Sequence, residues 1–170
     1  GLGDVYKRQG KCLQREKMFN GVQEIAIDNK GRIAIPAKFR DALSQYASPF
    51  LCTTLKRRSH LLLYPESTWQ AVSAQLMNLP TSGKKVLQQF QQLVLGHMEK
   101  LEPDASGRIL IPPRLRSLVD FGDAKEVVMV GRGDRLELWG KVRWDAETNA
   151  ILDMDPTMLE EELSQTDLRI

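Results

Sequence analysis

From residue 22 to residue 35 apolar and polar positions alternate with a period of two. Ile25, Ile27, Ile33 and Ile35 fall on one side, and Ala26, Asp28, Arg32 and Ala34 on the other, the pattern of a hairpin with one buried face. Taking Asn29-Lys30-Gly31 as a three-residue turn pairs Ile27 with Ile33 and Ile25 with Ile35, and sets Asp28 opposite Arg32. Gly31 then takes the left-handed position that closes such turns. Behind Pro36, whose fixed φ suits a first helical position, Phe39, Ala42, Leu43 and Tyr46 recur at helical spacing. After the break at Ser48-Pro49, residues 50–55 predict a strand, 56–59 a basic turn and 61–64 a returning strand. A helix over 66–79 carries Trp69, Val72, Leu76 and Leu79 on one stripe. A second, over 84–97, buries Val86, Leu87, Phe90, Leu93 and Val94.

The pattern then starts again. Residues 27–43 (IDNKGRIAIPAKFRDAL) lie on 103–119 (PDASGRILIPPRLRSLV) at an offset of 76, matching Asp28/Asp104, Gly31/Gly107, Arg32/Arg108, Ile33/Ile109, Ile35/Ile111, Pro36/Pro112 and Arg40/Arg116. Further on the offset is 75, with Arg57 on Arg132, Leu61 on Leu136, Tyr64 on Trp139 and Trp69 on Trp144. Self-similarity of this kind decides the fold before any single element does. The chain is two copies of one unit. The second copy pairs Leu101 with Ile111 and sets Asp104 opposite Arg108, while Pro103, unable to donate a ladder bond, predicts an edge. Leu115, Leu118 and Val119 continue its short helix. Ala146, Ile151 and Leu152 belong to a later one, and an acidic helix begins at Asp155-Pro156.

The resulting class is α+β, with short helices around two β modules and a helical pair between them. Residues 1–17, ahead of Met18, read as a non-native or disordered leader. Residues 18–80 are the first unit, 81–98 a connecting helix, 99–152 the second unit and 153–170 an acidic C-terminal helix or tail.

Net charge is only +2, but its distribution is uneven. Residues 1–17 hold five basic against two acidic residues and residues 145–170 one against eight, which leaves the segment between them with eighteen against twelve. That excess suits a partner carrying phosphates. Lys30, Arg32, Lys38 and Arg40 form a basic cluster in the first unit, and Arg108, Arg114 and Arg116 in the second. Cys12 and Cys52 have no disulfide-framework or metal spacing. His60 and His97 have no ligand partner, and Gly131-Arg132-Gly133-Asp134 lacks the ending of a phosphate loop and reads as a β turn. No nucleophile–base set or carboxylate pair can be assembled, so no enzyme, metal or cofactor is expected. No apolar run reaches membrane-spanning length. Lys56-Arg57-Arg58 reads first as a solvated turn tip. Taken singly, Asp28/Arg32 would be no more than hairpin furniture; the duplication and the adjacent basic helices favour a binding role.

Two Asp-x-x-Gly-Arg hairpins, each followed by Ile-x-Ile-Pro and a basic short helix, resemble the MraZ family, bacterial proteins related to the SpoVT/AbrB DNA-binding fold. The opening Met18-Phe19-x-Gly21 is similar to that family's start, and the likeness spans residues 18 to 152. It implies two tandem swapped-hairpin (SpoVT/AbrB-like) β modules in a cytoplasmic, nucleoid-associated transcriptional regulator. Such a protein assembles as a ring-shaped homo-oligomer on short direct repeats of double-stranded promoter DNA, upstream of the operon for cell division and cell wall genes. The family's Asp-x-x-x-Arg signature falls on Asp28 and Arg32 and on Asp104 and Arg108. Asn20 stands where many members carry Arg, and Ala105-Ser106 replaces Asn29-Lys30, which leaves open whether the two copies contact DNA equally. The alternative is a non-enzymatic protein-interaction module of antitoxin type, docking through the acidic segment 153–162.

Overall fold

Both turns form where the alternation places them, but neither hairpin closes behind its turn. The computed structural model describes residues 18–121 and 123–170; the leader at 1–17 lies outside the described residues. In the first copy Asp28 N donates to Arg32 O at 3.1 Å and Ile27 bridges Ile33. There the strands part. β1 (Phe19–Ala26) runs antiparallel to β7 (Glu126–Gly133), and β2 (Arg32–Ala34) pairs with β6 (Arg108–Leu110). The second copy does the same, with β5 (Glu99–Leu101) on β3 (Leu51–Arg57). The expected Ile25–Ile35 and Leu101–Ile111 pairs are therefore replaced. Ile25 faces Val127 and Leu101 faces Leu51, while Ile35 N donates to Gly107 O and Ile111 N to Gly31 O. With the strands exchanged, Ile33, Ile35, Ile109 and Ile111 all lie in one core.

With β4 (His60–Pro65) and β8 (Leu136–Gly140), a six-stranded sheet forms in the order β1-β7-β8-β4-β3-β5, and β2-β6 makes a separate two-stranded ribbon. β5 is an edge strand, as Pro103 just beyond it predicts. The registers define a pseudo-twofold axis. It passes between Ile33 and Ile109 in the ribbon and between Leu62 and Glu137 in the sheet, because these are the pairs that join equivalent positions of the two copies. The change of offset from 76 to 75 also has a structural cause, a register shift in β3 between Thr54 and Arg57 that adds one residue to the first copy.

Three cores follow from the alternation. Leu61, Leu63, Leu136 and Leu138 point toward the ribbon and toward α1 (Ala37–Leu43) and α4 (Pro113–Leu118), which contribute Phe39 and Leu115. Pro36 and Pro112 stand one position before these helices, as N-caps rather than first helical residues. On the opposite face α2 (Glu66–Met77) and α3 (Lys85–Gly96) cover Cys52, Leu62 and Tyr64 with Trp69, Leu76 and Val94. α5 (Lys141–Leu152) lies over Val128, Val130 and Trp139 with Trp144. α6 (Pro156–Ser164), capped by Asp155, buries none of its residues.

Gly131-Arg132-Gly133 is strand, not turn. β7 continues through Gly133, and a Cβ on Gly131 would lie 2.5 Å from the Phe19 carbonyl carbon and 2.6 Å from Asn20 Cα, so the close approach of β1 requires glycine there.

Glu137, at the axis, is the one buried carboxylate among the described residues. Its Oε2 lies 3.3 Å from His60 Nε2 and 3.5 Å from Arg135 Nη2, and its Oε1 accepts from Trp139 Nε1 at 3.1 Å and lies 3.7 Å from Arg132 Nη1. Burial pushes this carboxyl up, but His60, the Trp139 N–H and Arg132 outweigh it and hold it at about 2. With the folded value below the ordinary 4.5, the contribution to stability is complete above that value and is lost as pH falls toward 2. Acid unfolding followed by circular dichroism should steepen in that window for the native protein, and Glu137→Gln should flatten it.

Candidate nucleic-acid interface

The ribbon presents two faces of opposite character. Ile33 and Ile109 point into the core, whereas Arg32, Ala34, Arg108 and Leu110 point out and are exposed. The register sets Arg32 across from Leu110 and Ala34 across from Arg108. The two arginines therefore sit diagonally about the axis. A two-stranded ribbon is one of the shapes that the major groove of B-DNA admits.

Each arginine is held by its own turn. Asp28 Oδ1 accepts from the main-chain N–H of Lys30 and of Arg32, both at 2.9 Å, and Oδ2 accepts from Arg32 Nε at 2.7 Å. Asp104 repeats the arrangement with Ser106 N at 2.8 Å, Arg108 N at 2.9 Å and Arg108 Nε at 3.3 Å. The Arg32 N–H and then its side chain hold the Asp28 carboxyl at about 2. Asp104 is lowered as well, chiefly by the Arg108 N–H. Both stay ionised at neutral pH, so the pin on Nε persists. Among the described residues no protein group engages the terminal Nη atoms of Arg32 or Arg108, which leaves them for a ligand.

Interlocking also redistributes the basic clusters. A Cβ on Gly31 would stand 2.6 Å from Arg116 Nε, and one on Gly107 2.8 Å from Arg40 Cδ, so each helix arginine lies over the turn of the other copy. The two turns therefore bring Lys30 and Arg32 beside Arg116, and Arg108 beside Arg40. Arg116 is half-buried, and its Nε is enclosed without a hydrogen bond among the described residues, which makes it as much a prop for the turn as a contact. Lys38 and Arg114 go elsewhere. Lys38 Nζ reaches Gly21 at the root of β1, and Arg114 lines a cleft with Gly96 and Glu99 at the root of β5.

Gly31 and Gly107 have φ of +90° and +74°, where a side chain is strained. Gly31→Ala adds a clash with Arg116 and with the Ile111 carbonyl oxygen at 2.9 Å. It should cost about 1–3 kcal/mol of stability, read from the urea midpoint.

Sequence reasoning passed over Leu110. It is 51% exposed on the outer face, across from Arg32. The signal was present: Ile109-Leu110-Ile111 fills with leucine the outward position that is Ala34 in the first copy.

The geometry agrees with the comparisons. A family model described as "MraZ protein, putative antitoxin-like" matches residues 18–89 and again 94–166. The chain is 50% identical over 153 residues to a protein named transcriptional regulator MraZ from Neisseria gonorrhoeae, covering 90% of this chain and all of that one. It is 46% identical over 146 residues to the protein of that name from Chromobacterium violaceum, covering 86% and 97% of the two chains. With the one from Coxiella burnetii the figures are 42% over 129 residues, 75% and 83%.

Proposed function

Because the chain belongs to the MraZ family, we propose that it is a transcriptional regulator, not an enzyme, which binds double-stranded DNA sequence-specifically through the β2–β6 ribbon. The observation that carries this reading is the outer face of the ribbon, where Arg32 and Arg108 are each pinned at Nε by a carboxylate with their terminal nitrogens unused. A guanidinium fixed in this way matches O6 and N7 of guanine in the major groove. Lys30, Arg40 and Arg116 beside the turns, and Lys38 and Arg114 at the roots of β1 and β5, supply phosphate contacts, which set affinity and register without reading sequence. Asp28, Gly31, Asp104 and Gly107 shape the turns.

One ribbon covers few base pairs. In this reading a ring-shaped homo-oligomer sets successive ribbons on short direct repeats upstream of the cell division and cell wall operon, so that affinity comes from multivalency at matched spacing. The protein then works in the cytoplasm, on the nucleoid. Among the described residues no helix is long and apolar enough to cross a membrane.

Fluorescence anisotropy with promoter duplexes carrying the repeats, against scrambled duplexes at two salt concentrations, tests the proposal. Tight, repeat-dependent binding is expected. Equal weak binding to both duplexes would sink it. The second reading, a protein-interaction module, draws on α6, where Met158 and Leu159 are exposed beside Glu160, Glu161 and Glu162; a stoichiometric protein partner without DNA retardation would favour it.

A further inference from the structure

The face of the sheet turned away from the ribbon carries a second basic feature, one that the DNA reading leaves unused. Side chains alternate along β4 and β8, so Leu61, Leu63, Leu136 and Leu138 face the ribbon side while His60, Glu137 and Trp139 face the other. There the β3–β4 turn of the first copy meets β7 and α5 of the second around a cavity of about 380 Å³.

Four arginines line it: Arg57 and Arg58 from the first copy, Arg132 and Arg143 from the second. Glu147 is the single carboxylate on the wall. Glu137 lies beneath, already shared among His60, Arg132, Arg135 and the Trp139 N–H. Apart from Arg132, which shares Glu137, the arginines are placed rather than neutralised. Arg143 Nη1 donates to the Arg58 carbonyl at 2.9 Å, and Arg58 Nη1 to the Leu118 carbonyl at 3.3 Å, both neutral acceptors. Beyond this Arg143 has only a 3.9 Å approach to Asp120, and Arg57 has no partner among the described residues. His60 Nε2 is enclosed beneath the site, 3.3 Å from Glu137 Oε2. At the floor its ring stacks on Trp139 at 4.4 Å between centroids.

Like charges gathered in a concave site repel one another, and they raise the local concentration of anions. Guanidinium forks match the oxygens of phosphate better than any other common group does. A volume of this size is that of a small-molecule site, not of a duplex. The geometry points to a binding site for a small phosphorylated ligand with at least two anionic groups, held between the two copies of the repeat. A ligand there bridges both copies on the side opposite the DNA-reading ribbon, where an effector can bind without competing for the duplex.

Inorganic pyrophosphate and ATP are the probes, followed by intrinsic tryptophan fluorescence, since Trp139 forms part of the floor, and by thermal unfolding. Saturable binding of at least one probe is expected, with a rise in melting temperature. Arg57→Ala should weaken it tenfold or more and Arg57→Glu should abolish it. Neither change removes a contact within the protein, so both variants should keep the native circular dichroism. Arg32→Ala/Arg108→Ala should bind the probe as the native protein does. Absence of saturable binding by both probes at millimolar concentration overturns the proposal, as does equal weakening in the Arg32/Arg108 variant, which would place the anion on the ribbon. A parallel loss of duplex binding in Arg57→Ala would overturn it too, by assigning the phosphate to DNA.

Discussion

Glu137→Ala is expected to lower stability at neutral pH by about 2–4 kcal/mol. Glu137 is 2% exposed and stands on the pseudo-twofold axis across from Leu62. Truncation removes the acceptor of the Trp139 N–H, and a buried donor left without a partner costs roughly 1–3 kcal/mol. It also removes the common counter-charge of Arg132 and Arg135. Breaking a buried ion pair from one side typically costs about 3–5 kcal/mol, but the Arg132 side chain is 55% exposed and can turn to water, which argues for the lower part of that range. Glu137→Gln keeps an oxygen for Trp139 and loses only the charge, so its cost should be roughly half. The urea midpoints of the three proteins check this order. Equal midpoints for Ala and Gln would mean that the hydrogen bond to Trp139 contributes nothing.

This residue also illustrates what a sequence can conceal. In Leu136-Glu137-Leu138-Trp139 the alternation is that of an ordinary strand with Glu137 on a wet face, and the match to Leu61-Leu62-Leu63-Tyr64 draws attention to the leucines. A clue lay in Leu62 itself, since an apolar residue in the equivalent position signals that the second face is buried as well. The turns were legible because all their determinants lie within five residues: a carboxylate, a glycine that reaches positive φ, and an arginine. Strand exchange was not. Ile25 points inward whether it pairs with Ile35 or with Val127, so period-two alternation is the same for a closed hairpin and an exchanged one. The family resemblance supplied that step, and the residue pattern could not. For the same reason the basic residues were sorted by copy, whereas the fold sorts them across copies, Arg116 with the first turn and Arg40 with the second.

Arg32→Ala/Arg108→Ala should leave the fold intact and abolish discrimination between the promoter repeats and a scrambled duplex. Both side chains are nearly half exposed and each pairs only with the carboxylate of its own turn, whose Oδ1 still holds the two main-chain N–H groups after truncation. Loss of a base-reading arginine costs about 1–3 kcal/mol, so the pair should cost roughly 2–6 kcal/mol on the cognate duplex if the two act independently. On the scrambled duplex the loss should be much smaller. Lys38→Ala supplies the contrast. Its amine sits beside Gly21 at the root of β1 and in this reading meets phosphate; binding to every sequence should weaken alike, and the salt dependence should fall by about one unit of slope. The two copies need not contribute equally, because the first turn carries Lys30 where the second has Ser106, and Leu110 lies beside Arg108 on β6 with Ala34 as its counterpart on β2. Anisotropy titrations of the two single variants against each duplex separate these contributions. If the single variants and Lys38→Ala all lose affinity evenly on every duplex, the arginines contact phosphate and the ribbon does not read bases.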